Sequence, residues 1–180
     1  MNVDVGLNWP YLHLLINHFP IILTVVGSAT LALALVTNRR GIWLYALATL
    51  TLAGLAIYPV YFTGDEASDA VRKTWYIVRS MVREHDESAG WALGTVLPMG
   101  AAAAYAWWRM LRREVTGLPP RWLRIVVTVL TVFGLAIVIR TAYLGGKIVH
   151  DSPKLQTPPA GAALTAGTIP LTAARRRPWS

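Results

Sequence analysis

The chain carries four histidines, His13, His18, His85 and His150, and no cysteine. Imidazole nitrogen is the common protein ligand for haem iron, copper and zinc, so these residues set the first chemical expectation. The lack of cysteine excludes disulfides, thiolate metal sites, iron–sulfur clusters and c-type haem attachment by this sequence. His13 and His18 stand five positions apart. On a helix that is ~7.5 Å of rise and about 140° of rotation, so an ideal helix cannot aim both at one metal. Pro20 can bend this turn and loosens the restriction. The expected arrangement sets His18, the deeper of the two, opposite His85 or His150, with His13 contributing less. Arg140 is the single charge within an otherwise apolar stretch. It would either snorkel outward to the surface or pair with Asp65, Glu66 or Glu84, or with an anionic group such as a haem propionate or a lipid phosphate. The cofactor-binding set is thus His13, His18, His85, His150 and Arg140, and the metal ligands within it are His18, His85 and His150. Glu84, Asp86 and Glu87 around His85 offer acceptors that would orient an imidazole ring. No phosphate-binding glycine loop, zinc-protease helix or nucleophile elbow occurs, so no catalytic residue is assigned.

Four apolar stretches must position these side chains, at about 11–36, 42–62, 88–108 and 125–146. Each reaches the roughly 20 residues a helix needs to cross a bilayer, and only Arg140 interrupts them. Hydrophobic residues make up 54% of the chain and charged ones 14%, well below the charge of a soluble domain. The expected fold is an all-α, integral membrane four-helix bundle over residues 1–150. Formal charge is +8, and the apolar stretches assign that excess to membrane-flanking loops rather than to nucleic acid.

Arg39 and Arg40 lie in the first link, and Arg109, Arg112, Arg113, Arg121 and Arg124 in the third. The link between the second and third stretches instead holds more acids than cations. The positive-inside rule therefore puts both termini outside, in the periplasm of a bacterial inner membrane, and all four histidines in the outer half. Trp9, Tyr11, Trp43, Trp107, Trp108 and Trp122 read as interface anchors.

Two segments lie outside the apolar stretches. Between 64 and 87, Val71, Trp75, Val78 and Val82 recur at helical spacing, which predicts an amphipathic helix lying on the outer face. Gly64 reads as the stop that precedes it. Residues 151–180, rich in Pro, Ala and Thr, read as an extended tail that orders only against a partner.

The motif from His13 to His18-Phe19-Pro20 has the form H-x-x-x-x-H-F-P. Together with Phe62-Thr63-Gly64-Asp65-Glu66-Ala67, His85-Asp86-Glu87 and Gly145-Gly146-Lys147-Ile148-Val149-His150, it resembles a family of small bacterial four-helix membrane proteins catalogued as a domain of unknown function. Leu14 and Val149 depart from residues frequent in that family, and the tail after Asp151 falls outside the resemblance. It implies the four-helix topology and a habit of accompanying electron-transfer proteins. The resulting expectation is a membrane subunit of a bioenergetic complex with an outer-face histidine site for b-type haem or another metal. The alternative is a cofactor-free accessory subunit of a respiratory or photosynthetic assembly. Either form contacts lipid and other subunits through its helices and tail.

Overall fold

A computed structural model describes residues 8–73, 78–112 and 117–151. Within them the chain is helical, with α1 at Trp9–Ile16, α2 at His18–Thr37, α3 at Arg40–Val71, α4 at Arg79–Leu111 and α5 at Arg121–His150. The fold class expected from the sequence is met at the level of an all-helical chain with four long spans.

The first span is two helices meeting at Asn17. Pro20 explains the join: its ring cannot pack against the carbonyl four residues earlier, that of Ile16, and it has no N–H to donate there. Asn17 keeps helical angles and its N–H donates to the His13 carbonyl at 2.9 Å, so the chain passes from α1 into α2 without losing direction. At the other end of the span Asn38 adopts φ 50°, ψ 24° and donates to the Ala34 carbonyl. This left-handed cap, which Asn tolerates, turns the chain straight into α3.

α3 packs most extensively on α2 and α4, and α4 also packs on α5. α2 closes the ring against α5 more loosely, while α1 leans on α3 and reaches neither α4 nor α5. The tightest approach is Gly54 in α3 against Gly100 in α4, where a Cβ on either would lie 2.6 Å from the other's Cα. Two side-chain-free positions let the backbones touch, as small residues do at membrane helix contacts. Around them Trp43, Leu47, Leu50, Val96, Met99 and Val127 are wholly buried. Trp43 therefore belongs to the core, not to the interface anchors.

Leu, Ile, Val and Phe side chains also cover the exterior. Leu55 is 67% exposed, Val132 62% and Phe133 61%. Water would penalise that surface at about 25 cal/mol per Å², and lipid would not. Trp9–Thr37, Arg40–Val71 and Arg121–His150 are long and apolar enough to cross a membrane. α4 is not among them. Its 88–108 stretch carries no charge, but Ala, Gly and Trp replace the larger aliphatics that raise hydropathy.

The amphipathic surface helix expected over 64–87 is not a separate element. α3 continues through Gly64 to Val71, and α4 already starts at Arg79. At 1.5 Å per residue the 32 residues of α3 span about 48 Å, beyond the ~30 Å hydrocarbon core. Its end is held by packing: Ala67 and Ser68 are buried, and so is Val82 of α4. Of the segment's apolar positions, Val82 is thus buried within the bundle instead of lying in a membrane plane. Trp75 and the tail over 152–180 lie outside the described residues.

Candidate functional site

His13 on α1 and His85 on α4 are held in the same way. The half-buried His13 ring lies against α3, its Nδ1 3.1 Å from the Val60 carbonyl oxygen and 3.3 Å from Thr63 Oγ1. Gly64, one turn past Val60, makes room for the ring, since a Cβ there would lie 2.9 Å from its Cε1. The half-buried His85 ring lies against α5, its Nδ1 3.1 Å from the Thr141 carbonyl oxygen. Gly145, one turn past Thr141, makes room in turn, with a Cβ 3.1 Å from Cε1. Each latch is a histidine on the first helix of a hairpin, with a carbonyl and a glycine four residues later on the second.

A carbonyl oxygen only accepts, so Nδ1 carries the proton in both rings and donates it. The neutral imidazole then keeps a lone pair on Nε2, and neither Nε2 has a hydrogen-bond partner among the described residues. Fixing one nitrogen by a carbonyl is how proteins orient the other toward a metal. The surroundings of His85 are tightly tied. Thr141 Oγ1 lies 2.7 Å from Ser88 Oγ, 2.9 Å from the Ile137 carbonyl and 3.1 Å from the Ser88 carbonyl. Arg72 at the end of α3 reaches Asp86 at 2.6 Å and joins the two helix ends beside the ring. His85 and Asp86 both lie within electrostatic reach of His13.

The other sequence-derived candidates are elsewhere. His18 is exposed at the start of α2. His150 is exposed at the last residue of α5, nine residues and about 13 Å of rise beyond Thr141. Arg140 is exposed on α5. None of the three has a hydrogen-bond or ion-pair partner among the described residues, and Arg72, not Arg140, makes the ion pair. No group of three His, Asp or Glu side chains is poised to hold a metal among the described residues. His18, His85 and His150 are therefore not assembled into one ligand set, while His13 and His85 share one end of the bundle.

Sequence reading missed Gly64, Gly145, Val60 and Thr141 as parts of the site. Their signal was an internal echo: an aromatic residue shortly before a glycine near the end of each hairpin's second helix, Phe62 before Gly64 and Tyr143 before Gly145. It also missed Asn17, whose buried Oδ1 has no partner and which lies one turn deeper than His13. No family model, curated protein or solved structure matches this chain.

Proposed function

We propose that this chain is an integral membrane subunit of an electron-transfer complex, crossing a bacterial inner membrane four times. In this reading its histidine end faces the periplasm and holds a b-type haem through His13 and His85. The observation that carries the reading is the duplicated latch, which leaves two imidazole Nε2 lone pairs at one end of the bundle. Two neutral imidazoles are a sufficient ligand set for haem iron, whereas a hydrolytic zinc centre needs three protein ligands. Among the described residues α1 packs on α3 and touches neither α4 nor α5. Bound haem would supply one-electron transfer. His13 and His85 would hold its iron through Nε2, and the carbonyls of Val60 and Thr141 would fix the two ligand rings.

Orientation rests on the arginines at the opposite end. Among them, Arg40 ties α3 to the other link by donating to the Met110 and Gly117 carbonyls. Other subunits of the complex would meet the exposed apolar helix faces and the 151–180 segment, whose Arg175, Arg176 and Arg177 suit an acidic or phospholipid surface.

A second reading has one observation in its favour. Each latch already satisfies an imidazole nitrogen and ties two helices, which a cofactor-free accessory subunit also needs. Visible absorption of the purified protein with pyridine haemochrome analysis separates the two. The haem reading expects stoichiometric haem with a six-coordinate, low-spin spectrum. Protein purified in its native complex without haem or stoichiometric metal favours the accessory subunit.

A further inference from the structure

The arginine end holds a second feature, independent of the histidines and dependent only on the chain being in a membrane. A groove between α2 and α5 is lined by Leu35, Arg121, Arg124, Ile125, Thr128 and Val129. We propose that it seats an anionic phospholipid, with the phosphate against Arg121 and Arg124 and an acyl chain against Leu35, Ile125 and Val129.

The order of residues along α5 carries the argument. Arg121 opens the helix, Arg124 follows one turn deeper, and Val129 lies eight residues, or about 12 Å, below Arg121. The lining thus passes from two cations with no carboxylate to aliphatic side chains in the direction of the bilayer centre. An anionic lipid has the same polarity profile over the same distance, and basic pockets between membrane helices bind such headgroups. Leu35, Ile125 and Val129 are 38%, 53% and 46% exposed, so the apolar wall is open from the side. Thr128 is already satisfied by the Arg124 carbonyl at 2.7 Å. Arg124 is not satisfied: its Nε is buried without a hydrogen-bond partner. A guanidinium nitrogen left so is costly, and a rotation of the side chain toward the groove it lines would give it a phosphate oxygen as acceptor. The α2–α5 contact is also looser than that between α3 and α4, which leaves room along this seam.

The test is native mass spectrometry of the full chain released from detergent with added phosphatidylglycerol or phosphatidylcholine. Wild type should retain phosphatidylglycerol in preference to phosphatidylcholine, and inorganic phosphate should not displace it. The double variant Arg121→Gln, Arg124→Gln should lose affinity by about fivefold for each arginine removed. The charge-matched control Arg39→Gln, Arg112→Gln should bind as wild type does. Val129→Trp, which fills the groove and leaves the charges in place, should weaken binding even if the arginine variant fails to fold. Equal retention of the two lipids, displacement by inorganic phosphate, or equal losses in the control and groove variants would each overturn the proposal. Capture of a protein partner in place of lipid at the groove would overturn it as well. None of these outcomes bears on haem binding.

Discussion

His13 and His85 stand in equivalent latches, each donating Nδ1–H over 3.1 Å to a helix carbonyl whose residue is followed four positions later by glycine. The equivalence divides the chain into two hairpins of like orientation, α1–α2 with α3 and α4 with α5. It also makes the two glycines the most direct probes of the site. Gly64→Ala puts a methyl 2.9 Å from the His13 ring, and Gly145→Ala puts one 3.1 Å from the His85 ring. Both rings must shift. If the proposed haem is bound, the expected outcome is a change in its visible spectrum in each variant, larger for Gly64→Ala, with helical content by circular dichroism unchanged.

Packing between the hairpins depends on a different pair. Gly54→Ala or Gly100→Ala drives a Cβ to 2.6 Å from the opposing Cα, where backbone has no rotamer to give. Each should destabilise the bundle by about 1–3 kcal/mol, read as a lowered thermal midpoint in detergent. Gly90→Ala, with nothing within 4 Å, should be neutral or slightly stabilising in the same assay.

The Arg72–Asp86 pair should matter less than its 2.6 Å length suggests. Its side chains are 42% and 31% exposed, so water screens the attraction. Asp86→Asn is expected to cost under about 1 kcal/mol and to lose most of that difference in high salt. A larger, salt-independent loss would mean that Asp86 supports His85 more than it does Arg72.

How much of this was legible in the sequence differs from one feature to the next. The apolar stretches marked all four long helical segments, and Pro20 marked the join at Asn17. Helix ends were not legible at the histidine end. A charged helix continuing beyond lipid keeps its own hydrogen bonds, and Ala67, Ser68 and Val82 give it a partner to pack on. The histidines could be read as the residues to follow, but not the faces of the helices that carry them. Depth favoured His18, whereas the small-residue stripe Pro20, Thr24, Gly27, Leu31 and Ala34 decides which side of α2 turns inward. His13 precedes Pro20 by seven residues and continues that stripe, while His18 is about 200° away from it. The same stripe logic places Trp43 inside. The latches needed the fold, because each spans about fifty residues of sequence.

Orientation can be checked by labelling. Cysteine introduced at Arg39 or Gly117 should be shielded from an impermeant thiol reagent in intact cells, and cysteine at Asp69 should react. All three positions are exposed, so reactivity reports the side of the membrane and not burial. The opposite pattern would move the histidine end to the cytoplasm.

The central claim is that His13 and His85, and no other histidine, hold the cofactor, and the visible spectrum of four single alanine variants tests it most directly. His13→Ala and His85→Ala should each abolish the six-coordinate, low-spin haem spectrum while the protein stays helical and membrane-inserted. His18→Ala and His150→Ala should leave the spectrum as in wild type. Loss of haem in His18→Ala or His150→Ala, with full retention in His13→Ala, would contradict the assignment.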